Sequence, residues 1–124
     1  MRRIHSILIV EDDPDLQEAM AVILDAEGYR IIAAGDGQEA IDRLRDGARP
    51  SVIVLDLMLP RKDGRQFRTE QLADPRFAAI PVIAYSGDAR VAETARALRV
   101  QHWFQKPVDF GALLEAIASY CPED

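Results

Sequence analysis

Residues 52–60 read VIVLDLMLP. Val52 to Leu55 form a continuous apolar run, and Asp56 follows it directly. A run without alternation fits a strand covered on both faces. A carboxylate there is costly to desolvate unless something pairs with it. Asp56 therefore asks what the rest of the chain supplies.

Outward from this stretch, short apolar runs alternate with amphipathic ones. Ser6–Val10 (SILIV), Arg30–Ala34 (RIIAA), Val82–Tyr85 (VIAY) and His102–Gln105 (HWFQ) read as further strands beside Val52–Leu55. They too are continuous, as strands buried on both faces should be. Leu16, Met20, Ile23 and Leu24 give the stripe of a first helix, with Asp13 and Pro14 as its start and Gly28 as its stop. Ala40, Ile41 and Leu44 mark a second helix, ended near Gly47, and Phe67 and Leu72 sit in a third. Val91, Ala95 and Leu98 define a fourth. Phe110, Leu113, Leu114 and Ile117 define a fifth, capped by Asp109. Five strand–helix units with short connections predict an α/β fold: a doubly wound, five-stranded parallel sheet with helices on both faces. The longest connection without periodicity is Ala73–Pro81.

The totals agree. The 124 residues fit one compact domain, with 48% hydrophobic and 29% charged residues. Fifteen Lys and Arg against 21 Asp and Glu give a formal net charge of -6, which argues against a nucleic-acid partner. The lone cysteine, Cys121, allows no intramolecular disulfide and fits a reducing compartment. No apolar stretch approaches the roughly 18 residues of a membrane span. The basic start, MRRIHSILIVEDD, has too short an apolar run for a signal peptide and reads as the approach to a first strand. The expected location is cytoplasmic.

In an open parallel sheet, ligands bind outside the carboxyl ends of the strands. After the first run come Glu11, Asp12 and Asp13; the third leads to Asp56; after the fourth come Ser86, Gly87 and Asp88; after the fifth, Lys106 and Pro107. The second offers only Gly35 and Asp36. Carboxylates gathered at one edge repel one another. A hard divalent cation such as Mg²⁺, which takes carboxylate and phosphate oxygens, resolves this. Lys106 adds positive charge for a phosphoryl group and Ser86 a hydrogen-bond donor. Asp56 then makes sense as a nucleophile that carries an aspartyl-phosphate.

These residues resemble the CheY-like receiver domain of two-component response regulators over about Ser6 to Tyr120. The resemblance lies in ILIVEDDPDL, in VLDLMLPRKDG with Pro60 and Gly64 shaping the loop, in YSG at Tyr85–Gly87 and in KP at Lys106–Pro107. It implies a flavodoxin-like strand order 2-1-3-4-5 and a usually cis Lys106–Pro107 bond. It further implies that Asp56 accepts a phosphoryl group from a histidine kinase or histidine phosphotransfer protein. Mg²⁺ would be held by Asp12, Asp56, the Met58 carbonyl and, through water, Glu11. Lys106 would pair with the phosphoryl oxygens, Ser86 would hydrogen-bond one, and Gly87 would leave room for the donor. Trp103, three residues before the lysine, falls on the switch aromatic that alters the face built by helix four, strand five and helix five. It departs from the more usual Tyr or Phe, and its other reading is a fixed packing residue. Arg99 and Val100 stand where many receivers have Gly-Ala.

The expected protein is a single receiver domain over residues 1–124 with no output domain. It serves as a phosphorelay module and is not an enzyme with a separate substrate. It would be a monomer or weak dimer with an unidentified downstream protein target, no direct nucleic-acid binding and no membrane contact. Two alternatives stand beside it: a receiver-like interaction module independent of phosphate, and a haloacid-dehalogenase-type phosphohydrolase. The latter needs a second Asp two residues after the nucleophile, where this chain has Met58. His102 reads as a strand or surface residue and Cys121 as incidental. Asp13 reads as a cap or a third site acid, and Asp88 as an influence on phosphoryl lifetime. Arg61, Lys62 and Arg65 read as a solvated face or as a patch steering an acidic donor.

Overall fold

The computed structural model describes residues 4–122. The basic residues at positions 2 and 3 lie outside the described residues, as do positions 123 and 124. Five strands alternate with five helices: β1 (Ser6–Val10), α1 (Pro14–Ala26), β2 (Arg30–Ala34), α2 (Gly37–Arg45), β3 (Val52–Asp56), α3 (Gly64–Ala73), β4 (Val82–Ser86), α4 (Val91–Ala97), β5 (His102–Gln105) and α5 (Phe110–Ser119). All pairings are parallel, in the order β2-β1-β3-β4-β5.

Alternate residues of the central strands feed two cores. Leu8, Val10, Ile53, Leu55, Val82 and Ala84 face α2, α3 and α4, where Ile41, Leu44, Phe67 and Ala95 meet them. Ile7, Ile9, Val52, Val54, Ile83 and Tyr85 face α1 and α5, where Met20, Leu24, Leu113 and Ile117 meet them. Among the described residues, no helix is long and apolar enough to cross a membrane.

Three strands have the predicted bounds; β3 and β4 each run one residue further, through Asp56 and Ser86. The ladder continues there because Asp56 pairs with Tyr85 and Ser86 with Gln105, whatever the polarity of the side chains. The expectation that every strand is covered on both faces fails at the edges. Arg30, His102 and Gln105 are exposed, since β2 and β5 each have one strand neighbour. Phe67 and Leu72 both lie in α3 as expected, and Leu72 is 39% exposed. The buried face of that helix is Gly64, Phe67, Arg68 and Gln71.

Two of those polar residues fasten loops. The Gln71 amide donates to the carbonyls of Phe77 (3.0 Å) and Ile80 (2.9 Å), ordering the long connection before β4. Arg68 donates to the carbonyls of Leu98 and Arg99, both at 3.0 Å, and to Gln71 Oε1 at 2.8 Å. It thereby ties α3 to the end of α4. Arg99 has φ 60, in the left-handed region that favours glycine.

The predicted helix ends hold. Asp13 caps α1 by accepting from the Asp15 N–H (3.0 Å), and Asp109 caps α5 by accepting from the Ala112 N–H (3.2 Å). Gly28 follows α1 with φ 91.

Candidate functional site

β1 and β3 are neighbours and end at the same edge, so Glu11 and Asp12 emerge beside Asp56. Carboxylate oxygens of Glu11, Asp12 and Asp56 lie within 4.8 Å of one another. Glu11 and Asp56 are each 1% exposed, whereas Asp12 is open to solvent. β5 delivers the cation: Lys106 Nζ donates to Asp56 Oδ2 at 2.9 Å and stands 3.7 Å from Glu11 Oε1. The Lys106–Pro107 bond is cis.

Each buried carboxylate is held on both oxygens. Asp56 Oδ1 accepts from the Met58 N–H at 2.9 Å. Glu11 Oε2 accepts from the Asp13 N–H at 2.9 Å, and Oε1 from the Tyr85 hydroxyl at 2.7 Å. Burial raises the Glu11 carboxyl above its ordinary 4.5, with Asp56 adding to the rise and the bonds from Asp13 and Tyr85 opposing it. Burial works against the Lys106 ammonium, but its bond to Asp56 and the surrounding acids outweigh that and raise its pKa. The group stays a cation. Such a set of hard oxygen donors around a shared space fits a divalent cation.

Ser86 is buried; its hydroxyl accepts from the Asp88 N–H at 3.1 Å. Gly87 is exposed, and a Cβ there would meet nothing within 4 Å. The Met58 side chain is 63% exposed and apolar where a haloacid-dehalogenase-type enzyme would carry an acid. Trp103 lies away from the acids, half-buried between β5 and α4, with the Arg96 guanidinium 5.4 Å above its ring. His102 is exposed at the sheet edge and pairs edge-on with Tyr120. Cys121 is buried.

The loop between Asp56 and α3 is pinned. Gly64 must be glycine because a Cβ would lie 2.7 Å from Leu57 Cα. The Gly37 N–H donates to the Lys62 carbonyl at 2.9 Å, and a Cβ on Gly37 would lie 2.3 Å from that oxygen. Arg61, at φ 58, bonds Asp36, and Lys62 bonds Glu70. The presumed basic patch is therefore largely paired within the molecule. Asp36, passed over in the sequence, is its anchor: it is 7% exposed and also caps α2 by accepting from the Glu39 N–H at 2.8 Å. Tyr85 was likewise passed over as a side chain. An acid just before a helix was the available signal for the first; nothing local signalled the second.

With this geometry in view, the relatives agree. The response regulator receiver domain family matches residues 7–118, and the chain belongs to that family. It is 34% identical over 112 residues to the transcriptional regulatory protein PdtaR of Mycobacterium tuberculosis, covering 90% of this chain and 54% of that protein. The chain thus spans about half the length of PdtaR. It is 30% identical over 117 residues to the polar-differentiation response regulator DivK of Brucella anthropi, covering 93% and 94%. The solved structure of the phosphorylated cyanobacterial phytochrome response regulator RcpA superposes with a TM-score of 0.79 at 27% identity, covering 94% of this chain and 91% of that one. The chain is a phospho-accepting receiver of two-component signalling with an acidic pocket of Glu11, Asp12 and Asp56.

Burial opposes the Asp36 charge, but the Glu39 N–H and Arg61 outweigh it and hold the carboxyl below its ordinary 3.8. Folding thus favours the ionised form. Its stabilisation is complete above pH 3.8 and is lost as pH falls from there through the lower folded value. Asp36→Ala should cost about 1 kcal/mol at neutral pH, the usual worth of a cap. In urea unfolding the gap to wild type should narrow below pH 3.8. A gap that stays constant there would contradict this account of the loop.

Proposed function

We propose that Asp56 is the phosphoacceptor of a relay whose donor is a phosphohistidine on a histidine kinase or histidine phosphotransfer protein. The observation that carries this reading is the Asp56 carboxylate, buried yet gathered with two other acids and contacted by Lys106. One Asp56 oxygen forms a P–O bond while the donor's P–N bond breaks. The imidazole nitrogen keeps the electron pair and takes up a proton. Asp12, Asp56, the Met58 carbonyl and, through water, Glu11 would hold Mg²⁺, which when bound neutralises the clustered carboxylates and phosphoryl oxygens. Lys106, freed from the Asp56 oxygen, pairs with the phosphoryl group, and Ser86 donates its hydroxyl proton to it. The space beside Gly87 admits the donor.

The phosphoryl group brings roughly −1.5 to −2 charge and strong acceptor oxygens. It favours the conformation in which Ser86 and Lys106 reach it. A cavity of about 120 Å³ between Leu57, Ser86, Val91 and Thr94 supports movement there. So does α4, which has seven residues and no side-chain cap. The Lys106 N–H donates to the Ser86 carbonyl at 2.8 Å, and Trp103 pairs with Ala84, so the two strand ends move as a unit. Trp103 is the switch aromatic of this reading, and the face of α4, β5 and α5 is its output to a protein target. Residues 1–124 work as a single receiver in the cytoplasm, as a monomer or weak dimer.

Intact mass after incubation with Mg²⁺ and a small phosphodonor should show one phosphoryl group on the wild type. Asp56→Asn should fold normally and show none; an adduct on that variant would overturn the assignment. Trp103 fluorescence should change when Mg²⁺ and beryllofluoride, a stand-in for the phosphoryl group, bind together. Unchanged emission would make Trp103 a packing residue.

A further inference from the structure

Tyr85 is fully buried in the core facing α1 and α5, yet its hydroxyl reaches the acidic edge. It donates to Glu11 Oε1 at 2.7 Å. Lys106 Nζ lies 5.4 Å over the centroid of the same ring and 3.7 Å from the same Glu11 oxygen. A buried phenol needs a hydrogen-bond partner, and any core carbonyl would serve. Here the partner is a buried carboxylate for which Lys106 competes.

We propose that Tyr85 is a positioning residue for the cation and phosphoryl site. Its hydroxyl fixes the Glu11 carboxylate and leaves the Lys106 ammonium to Asp56, while its ring backs that ammonium. With the Asp13 N–H on Oε2, both Glu11 oxygens are held. Without the hydroxyl, Oε1 of Glu11 would lose its 2.7 Å donor and Lys106, at 3.7 Å, would be drawn towards it. Glu11 would then turn from the pocket it shares with Asp12 and Asp56. The inference rests on the cation reading above.

The test is a double-mutant cycle on the Mg²⁺ dissociation constant of the unphosphorylated protein, measured by calorimetry. Tyr85→Phe keeps the ring, and unfolding without Mg²⁺ checks that each variant is folded. Tyr85→Phe should weaken Mg²⁺ binding about tenfold, as loss of one hydrogen bond to a charged group implies. In a Glu11→Gln background the same change should add less than about twofold. A general packing defect would weaken binding equally in both backgrounds. That result, or an unchanged constant in Tyr85→Phe alone, would overturn the proposal. A wild type that binds no Mg²⁺ would overturn the cation reading and this proposal with it.

Discussion

Lys106 Nζ stands 2.9 Å from Asp56 Oδ2 and 3.7 Å from Glu11 Oε1, and the carboxyl edge of the sheet is arranged around that ammonium. Two carboxylates at 1% exposure would repel each other and lack the solvation that water gives them. One cation shared between them offsets both penalties in part, and hydrogen bonds from Met58, Asp13 and Tyr85 add to the compensation. Compensation is incomplete, as the raised Glu11 carboxyl shows. A site with surplus negative charge is suited to a divalent cation.

The fold makes this arrangement from parts far apart in the chain. β1 and β3 are adjacent only because the order is β2-β1-β3-β4-β5, and β5 brings Lys106 back from 50 residues beyond Asp56. The two sides of the site differ in how firmly they are held. On one side the loop after Asp56 is locked to α2 and α3 through Arg61, Lys62 and Gly37. On the other, a short α4 without a side-chain cap lays its Arg96 over the Trp103 ring of β5.

Much of this was legible in the sequence because it is periodic or terminal. Continuous apolar runs located all five strands, and acids or glycines located both ends of α1, the end of α2 and the start of α5. The strand ends at Asp56 and Ser86 were drawn one residue short because polarity changes there while the backbone ladder does not. The buried face of α3 was not legible because the helix buries Arg68 and Gln71, both satisfied by carbonyls of distant loops. The ion pairs of Arg61 and Lys62 were not legible because their partners, Asp36 and Glu70, are 25 and eight residues away. The Tyr85–Glu11 bond spans 74 residues and has no sequence periodicity to betray it. Side-chain pairings set by tertiary packing are what a reading of composition and spacing leaves out.

The most direct test of the central claim is a crystal structure of the protein with Mg²⁺ and beryllofluoride. The account predicts one beryllofluoride on an Asp56 oxygen and a cation contacting Asp12 and the Met58 carbonyl. It also predicts the Lys106 ammonium moved from the carboxylate to a fluorine. An adduct on another residue, or Lys106 still bonded to Asp56 beneath a bound adduct, would contradict it.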